Sequence, residues 1–249
     1  TELPSLWEDE TAPYFENAVL TGLLAGESAA LGLCRRLCSE SPEDLNLIPL
    51  FLAYSGDETD LIIFQNILLH NSPTVAGIRA VGIYGYGSLV PALIESIRLG
   101  GMTYEDYQRR TTLVESLELI TGQTLENPTP TIEEEVNGHD VKVEVIADFY
   151  TPWIDWWHKN QDQFDLELRY RRGEPFDLGC CVQEMDHSHA HYWSRQSSYY
   201  ELMIRSGHKL PFEADWYVPK QKKAIPDWAE WWEKNKSTFG SSQWLFCGK

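Results

Sequence analysis

The sequence predicts a mainly helical protein, in which an α-solenoid of antiparallel helix pairs is followed by a β-hairpin insertion and a Trp-rich helical C-terminal part. Three observations predict this fold class: short amphipathic runs separated by glycine or polar breaks, an alternating segment around Asn137-Gly138, and a tryptophan pattern that occurs twice. Hydrophobic residues make up 43% of the 249 residues, enough for a large core. We expect two regions, residues 1–126 with the helical repeats and residues 127–249 with the hairpin and the Trp-rich part.

Apolar residues recur at helical spacing throughout the first region. The predicted helices cover residues 14–24, 27–38, 42–54, 58–70, 73–84, 88–99 and 104–121. Most of them end at a glycine, which readily adopts the left-handed conformation that follows many helices: Gly26, Gly56, Gly85 or Gly87, Gly100 and Gly122. Because short helices joined by brief turns can bury their apolar stripes only against neighbours, we expect them to stack as antiparallel pairs.

A β-hairpin is predicted after a linker that is rich in proline and asparagine. Residues 131–136 and 141–146 alternate polar and apolar side chains about Asn137-Gly138, a strong signal for a tight turn between strands. A turn that includes His139-Asp140 is the alternative, and it would shift the register. Glu133 and Glu135 share one face of the first strand because side chains alternate along a strand. A solvated edge is the simplest interpretation of this acidic run.

A duplication links two segments of the second region. Trp153, Trp156, Trp157, Lys159, Asn160 and Phe164 recur 75 positions later as Trp228, Trp231, Trp232, Lys234, Asn235 and Phe239. Their spacing places the aromatic rings on one stripe of a helix. We therefore predict two amphipathic helices that dock onto the protein through large rings. A carbohydrate- or peptide-binding aromatic platform is the alternative.

The net charge of −18 is the first feature with functional content. Such a field repels nucleic acid and anionic membranes, and it speeds the encounter with a basic partner. No lysine precedes Lys142. The acidic residues that we predict to bind a protein partner are Glu8, Asp9, Glu10, Glu43, Asp44, Asp57, Glu58, Asp60, Glu133 and Glu135. A solvated surface that keeps the protein soluble is the alternative interpretation of these clusters.

A cytoplasmic location is expected for the chain. Its longest apolar stretches are far too short to cross a bilayer of roughly 30 Å. The first residues carry several acids and lack the basic and apolar segments of a secretory signal. The five cysteines are an odd number in a chain too long to need disulfides, so we expect a reducing compartment and no structural disulfide.

The histidine-rich segment at residues 186–191 is the best candidate for chemistry, since alternate imidazole groups could bind a metal ion. The residues concerned are His187, His189 and His191, with Cys180, Cys181 and Glu184 nearby. The surrounding pattern predicts the start of a helix, in which residues two apart point in different directions, so a solvated loop is favoured. A Cys–His nucleophile pair is a weaker alternative. No Walker loop, nucleophile elbow, H-E-x-x-H motif or dinucleotide fingerprint occurs, and we expect no catalytic residue, no metal and no cofactor.

A set of short motifs carries a family resemblance: residues 20–26 (LTGLLAG), 79–85 (RAVGIYG), 119–122 (LITG), 156–157 (WW) and 169–175 (RYRRGEP). Residues 76–82, followed by a glycine turn and residues 90–94, are similar to the inner part of a HEAT-type repeat. On these motifs the chain resembles a bacterial family of HEAT-like-repeat proteins without assigned activity, often encoded near type VI secretion genes and their effectors. The hairpin, the histidine-rich segment and the second tryptophan helix depart from the family pattern.

The resemblance implies a non-enzymatic protein that acts in bacterial competition, because the family offers no catalytic residues. Together with the acidic charge, it predicts an immunity protein that neutralises a cognate basic antibacterial toxin, such as a nuclease, by covering its active site. An adaptor or chaperone for a type VI secretion effector is the first alternative. A metal-dependent enzyme that uses the His187–His191 segment is the second.

Overall fold

The structure, a computed structural model, describes residues 14–40, 47–70, 73–98, 104–126, 131–136, 139–144, 148–186, 192–216, 218–239 and 246–248. These residues form eleven α-helices and two small two-stranded sheets, which confirms the predicted mainly helical fold. The helices are α1 (Phe15–Ala25), α2 (Ser28–Glu40), α3 (Ile48–Ser55), α4 (Leu61–Leu69), α5 (Val75–Tyr84), α6 (Val90–Arg98), α7 (Tyr104–Thr121), α8 (Tyr150–Asn160), α9 (Leu178–Asp186), α10 (Tyr192–Ser206) and α11 (Val218–Asn235). The strands are β1 (Thr131–Val136), β2 (His139–Glu144), β3 (Tyr170–Arg171) and β4 (Glu174–Pro175).

The seven predicted helices correspond to α1–α7, with shifts at their ends. The seventh, α7, has the predicted bounds. The fourth is divided, because Asp57 caps a short 3-10 turn, Glu58–Asp60, before α4 begins. The fifth starts after Thr74, whose side chain accepts a hydrogen bond from the Gly77 amide (3.0 Å). Residues 41–46, which belong to the third predicted helix, lie outside the described residues.

Glycines end four of these helices, as the sequence predicts. Gly26, Gly56, Gly85 and Gly122 each follow a helix with φ between 67° and 78°, in the left-handed region. At Gly85, an added Cβ would also lie 2.6 Å from the Tyr170 carbonyl oxygen. Both the turn and the close approach of another segment therefore require glycine at this position.

Helices α2–α8 pack in two rows. In one row α3, α5 and α7 lie side by side, and in the other α2, α4, α6 and α8 do. Gly82 of α5 faces Ser116 of α7, whose hydroxyl donates to the Ile78 carbonyl oxygen (3.1 Å). The buried core includes Phe64 and Tyr84, whose rings stack with centroids 4.1 Å apart. These helices thus pack against helices two places along the chain, and the pairs α2–α3, α4–α5 and α6–α7 also pack against each other.

The C-terminal helices form a second buried cluster. The side chains that α9, α10 and α11 enclose include Phe176, Leu202, Phe212 and Trp228. Helix α10 also packs against α1 and α3, where the hydroxyl groups of Tyr54 and Ser197 lie 3.1 Å apart. The first core includes Trp153 and Trp157 of α8, so it continues past residue 126, the predicted boundary between the two regions.

Strands β1 and β2 form an antiparallel ribbon. Thr131 pairs with Glu144, and Val136 pairs with His139. His139 and Asp140 belong to β2, so the alternative turn that includes them is excluded, while positions 137 and 138 lie outside the described residues. The second strand begins two residues earlier than predicted.

The duplicated tryptophan segments form α8 and the last part of α11. Trp153 and Trp228 are fully buried, and each ring meets the next tryptophan of its helix edge-on, with centroids 5.8 Å apart in both copies. Asn160 and Asn235 end the helices in the same way, since each side-chain amide donates to a tryptophan carbonyl oxygen at 2.7 Å. The sequence duplication is therefore a structural one, and buried rings dock both helices as predicted.

None of the helices in the described ranges is both long enough and apolar enough to cross a membrane. None of the five cysteines, all of which lie in the described ranges, forms a disulfide. Cys34 and Cys38 lie one turn apart on the buried side of α2, the small apolar role that their spacing predicts.

Candidate functional site

Three of the predicted partner-binding acids lie in the turn between α3 and α4. Arg35 of α2 bridges two of them, since its Nε lies 2.7 Å from Asp60 Oδ1 and its Nη2 lies 2.5 Å from Asp57 Oδ2. Asp60 is 2% exposed, and burial raises the pKa of its carboxyl group. The third, Glu58, is exposed. Within this turn, Glu58 is therefore the carboxylate that a partner can reach most easily.

The other predicted acids divide into two groups. Glu133 and Glu135 lie on β1, opposite Lys142 and Asp140 of β2. Being two positions apart on a strand, they share one face of the ribbon. The second group lies outside the described residues and consists of Glu8, Asp9, Glu10, Glu43 and Asp44.

The arginines of the first region are engaged within the protein. Besides Arg35, Arg79 lies over the ring of Trp193 (5.3 Å), and Arg110 is buried in α7. The remaining ion pairs join Arg36 to Glu40, Arg98 to Glu95, and Arg109 to Asp106 and Glu105. Residues 1–126 contain 18 acids, six arginines and no lysine, so they carry a net charge of −12, against −6 for residues 127–249. The first region thus carries most of the negative charge of the protein, and its arginines already contact other groups of the same chain.

The basic segment that begins at Arg169 is part of a crossing segment, residues 168–173, which we call the arginine strap. Its backbone passes the C-terminal ends of α5 and α7. The hydrogen bonds that hold it run from Gly87 N to Leu168 O (2.9 Å), from Tyr170 N to Gly85 O (2.8 Å), from Arg172 N to Leu119 O (2.6 Å) and from Gly173 N to Ile120 O (2.9 Å). Between β3 and β4, Arg172 and Gly173 have φ values of 56° and 83°, as a tight two-residue hairpin turn requires.

Glu201 of α10 is the centre of a buried ion network beside the strap. Its Oε1 lies 2.7 Å from Arg169 Nη2, and its Oε2 lies 2.8 Å from Arg171 Nη2. Arg205, one turn further along α10, approaches Oε1 at 3.7 Å. Although burial opposes ionisation, the three guanidinium groups hold the pKa of Glu201 below its ordinary value. Burial and the neighbouring Arg169 lower the pKa of Arg205 to about 10.

Glu184 of α9 forms the second half of the network. Its carboxylate accepts hydrogen bonds from Arg171 Nη1 and Arg172 Nη2, both at 3.0 Å, and a short one from the Ser198 hydroxyl. The side chain of Arg172 is 44% exposed, whereas that of Glu184 is buried. Because Arg171 contacts both glutamates, it connects the strap to α9 and α10.

The network contains four arginines and two glutamates, and helix ends supply part of the missing negative charge. Arg169 Nε donates to Tyr84 O (2.7 Å), while the Nη2 atoms of Arg169 and Arg171 both donate to Ile83 O (3.2 Å). These carbonyl groups belong to the last turn of α5, the negative end of the helix dipole. The ring of Phe176 faces the guanidinium group of Arg169 at 4.1 Å, a favourable cation–π contact.

The network therefore joins the strap to helices from both buried clusters. It also withdraws Arg169, Arg171 and Arg205 from the surface, since each is at most 8% exposed. More positive than negative charge is removed in this way. Elsewhere in the described residues Asp57, Asp60 and Arg110 are buried as well, so the buried acids and arginines are equal in number.

Sequence reasoning missed Ser198, Glu201 and Arg205 of α10, and it considered Glu184 of α9 only as a neighbour of the histidine-rich segment. A signal for the three residues of α10 exists in residues 192–206, where polar residues recur at the spacing of a buried stripe. The five residues concerned, all buried, are Ser194, Ser197, Ser198, Glu201 and Arg205. A polar stripe at core spacing indicates a buried polar network, because buried polar groups need partners.

The segment considered for metal chemistry is only partly described. His187, His189 and His191 lie outside the described residues. Glu184 is bound by arginines, and burial raises the pKa of the Cys181 thiol, which keeps it protonated. Among the residues that the structure does describe, no group of three or more histidine, cysteine or carboxylate side chains is placed to hold a metal ion.

Comparison with known proteins gives no family assignment. No protein-family model, no curated protein and no solved structure matches the chain. The resemblance to the HEAT-like family therefore stays a prediction. The functional interpretation depends on the charge and geometry of the chain itself.

Proposed function

We propose that the chain is a non-enzymatic, cytoplasmic protein-binding module that neutralises a cognate basic antibacterial toxin, as an immunity protein does. The observation that carries this proposal is the distribution of charge. Residues 1–126 have a net charge of −12. The arginines with ion pairs there, Arg35, Arg36, Arg98 and Arg109, pair with acids of the same region.

A HEAT-like α-solenoid is the architecture that we propose for the first region. In its support, α3, α5 and α7 form one row of helices, and α2, α4, α6 and α8 form the other. Stacked helix pairs of this kind create an extended surface that can cover a large part of a partner. The type VI secretion setting that the family resemblance implies points to a secreted effector as the partner.

The proposed partner is a basic toxin domain, such as a nuclease. Nucleases bind phosphate groups through lysine and arginine, so carboxylates of this chain can occupy the same positive site and block it. Opposite charges also steer the two proteins together and raise the association rate. Because salt screens this attraction, we expect association to be fastest at low ionic strength.

Co-expression with the product of the adjacent gene tests the proposal. We expect a complex that survives purification, loss of the toxin's activity within it, and protection of cells that produce both proteins. The absence of both a complex and protection would contradict the proposal. An adaptor or chaperone for a type VI secretion effector, the alternative function, would form the complex without protecting cells.

Charge reversal at exposed acids locates the binding surface. The test variant changes acids of the first region to lysine, and a matched control makes the same change in net charge in the second region. The substituted residues are Glu58, Glu105 and Glu126 in the test variant, and Asp162, Glu213 and Asp227 in the control. We expect the test variant to associate about tenfold more slowly, while the control keeps most of the wild-type rate. Equal losses would mean that overall charge, and not the first region, drives binding.

A further inference from the structure

The chain contains two copies of a three-helix unit. The first unit consists of α6, α7, α8 and the arginine strap. The second consists of α9, α10, α11 and residues 246–248, which we call the C-terminal strap. In both units the second helix and the tryptophan helix each pack against the first helix. The repeated tryptophans are therefore one part of a larger duplication.

Each strap caps the second helix of its unit with the same two backbone hydrogen bonds. The donors are 75 positions apart and the acceptors 85 positions apart. The first residue of each pair is a non-glycine residue with positive φ, 56° at Arg172 and 53° at Cys247. The four bonds run from Arg172 N to Leu119 O (2.6 Å), from Gly173 N to Ile120 O (2.9 Å), from Cys247 N to Ile204 O (2.7 Å) and from Gly248 N to Arg205 O (2.9 Å).

The capped helices end alike as well. Gly122 and Gly207 follow α7 and α10 with φ values of 70° and 69°. Just before them, the hydroxyl groups of Thr121 and Ser206 donate to the carbonyl oxygens four residues earlier, at 2.7 and 2.5 Å. The two units thus agree from the helix end to the strap.

The units differ in the connection between the second helix and the tryptophan helix. Thirty residues separate Gly122 from Trp153, and twenty separate Gly207 from Trp228. The first unit places the β1–β2 ribbon in this connection. The second unit has instead a short loop and additional turns of α11, which begins at Val218. Because the second unit connects the same two helices without a ribbon, the fold of the unit does not require one.

The ribbon has backbone groups to offer a partner. Within the described parts of the chain, β1 and β2 pair with each other and no third strand joins them. Along the outer edge of each strand, alternate residues direct their N–H and C=O groups away from the ribbon. A two-stranded hairpin by itself is marginally stable in water, so a third strand would stabilise it. An open strand edge is a recognised site for the addition of an extended peptide.

The charge of the ribbon indicates which kind of extended peptide would bind along its edge. Lys142 is the one lysine or arginine in the two strands. The acids of the ribbon are Glu133, Glu134, Glu135, Asp140 and Glu144. Three of the five lie consecutively on β1. An extended segment rich in lysine or arginine therefore complements the β1 edge.

We propose that the β1 edge of the ribbon receives an extended, lysine- or arginine-rich segment of the partner protein as a third strand. This inference rests on the proposed function, because it names the element through which the basic partner is recognised. Main-chain hydrogen bonds along β1 supply affinity, and the glutamates supply selectivity for basic side chains. The helical rows then cover the body of the partner.

A labelled short peptide that alternates lysine and valine is the probe, titrated against the full chain. We expect saturable binding, and binding at least about tenfold weaker for the same peptide with a central proline, which cannot donate to a strand ladder. Equal binding of the two peptides would overturn strand addition in favour of simple charge attraction. No binding of the first peptide would overturn the inference as well.

A clipped variant tests whether the ribbon is the site. Because Thr131 and Glu144 pair across the ribbon, residues 132–143 can be replaced by Asn-Gly without separating its ends. This change removes a net charge of −3, and the matched control D162N/E213Q/D227N removes the same charge elsewhere. We expect the clipped variant to melt like the wild type and to bind the peptide at least about tenfold more weakly, while the control binds normally.

Wild-type binding by the clipped variant would overturn the inference. The proposed function fails separately, if the full chain forms no complex with the product of the adjacent gene. A clipped variant that still forms that complex and still protects cells would leave the proposed function intact and exclude the ribbon as the recognition element.

Discussion

The two straps have the same backbone geometry and very different side chains. The arginine strap caps α7 and inserts Arg169 and Arg171 between two buried glutamates. The C-terminal strap caps α10, and its Phe246 packs against the first core. Next to it, Cys247 Sγ lies 3.7 Å from the Leu23 carbonyl oxygen at the end of α1. One strap therefore joins elements by charge, and the other joins them by packing.

Two properties of a strap are therefore separate. The cap is its pair of backbone hydrogen bonds to a helix end, and the cross-link is the set of noncovalent contacts that its side chains make with other helices. The cap depends on two consecutive residues with positive φ, and it is the same in both units. The cross-link depends on what the neighbouring helices offer. For the first strap these are Glu184, Glu201 and the last carbonyl groups of α5. Substitutions can affect one property without the other.

The largest effect is expected for the charged cross-link. Changing Glu201 to Gln leaves Arg169, Arg171 and Arg205 buried without their shared counter-charge. We expect this to lower the free energy of unfolding by about 3–5 kcal/mol, the usual loss for breaking a buried ion pair. Urea denaturation measures the change.

The matched control for that variant is Glu230→Gln. Glu230 also pairs with a cation, Lys234, but both side chains are about two-thirds exposed. We expect no measurable change in stability, because exposed pairs are screened by water. Similar losses for the two variants would show that burial of the network does not determine its contribution.

The pH dependence distinguishes the two buried carboxylates. The folded-state pKa of Glu201 is lowered, so its stabilising contribution is complete above the unfolded pKa and is lost as the pH falls through the folded pKa. The stability gap between the wild type and Glu201→Gln is expected to narrow on acidification. Burial raises the folded-state pKa of Asp60, so its contribution to stability depends on pH in the opposite direction. The wild type is therefore expected to gain stability relative to Asp60→Asn as the pH falls. Urea denaturation at a series of pH values measures both trends, and parallel trends would contradict this assignment.

Substitution of Gly122 and Gly207, the glycines that lie against the two straps, tests the shared cap. In Gly122→Ala the new Cβ would lie 2.3 Å from the Arg172 carbonyl oxygen, and in Gly207→Ala it would lie 2.7 Å from that of Cys247. We expect losses of about 1–3 kcal/mol for both, larger for Gly122. The control Gly32→Ala, in the middle of α2 with nothing within 4 Å of the added Cβ, is expected to stabilise by about 0.5–1 kcal/mol. Thermal unfolding of the three variants decides the order.

The smallest effect concerns the ends of the tryptophan helices. Replacement of Asn160 or Asn235 by Ala removes a hydrogen bond of 2.7 Å to a tryptophan carbonyl oxygen. We expect each change to cost about 0.5–1.5 kcal/mol, with equal values for the two. Chemical denaturation of both variants under one condition provides the measurement. A loss in one variant alone would show that the two units are not energetically equivalent.

Much of the fold could be predicted from local patterns. Helix α7 has its predicted bounds, four predicted glycines end helices, and the tryptophan duplication recurs as buried rings. The first strand of the ribbon has its predicted bounds, and the second begins two residues earlier than predicted. These features depend on residue type and spacing over a few turns, which the sequence displays directly.

The candidate site was less predictable. Asp57 and Asp60 belong to an acidic cluster in the sequence, yet Arg35, more than twenty residues away, binds both of them. The segment at residues 169–175 appears in the sequence only as a short basic motif, yet Arg169 pairs with Glu201 in a buried network. In each case the partner lies on another helix, so spacing along the chain carries no information about the pair.

The sequence by itself determined the helices, the glycine ends, the ribbon and the large negative charge, because these follow from composition and short-range periodicity. Only the tertiary structure decided which charges face solvent and which are neutralised inside. It also revealed that the tryptophan repeat belongs to two complete units, whose straps match in hydrogen bonds and backbone angles although their side chains share little. The physical reason is that burial and ion pairing depend on distances between helices, while a backbone cap depends on φ and hydrogen bonds that many side chains allow.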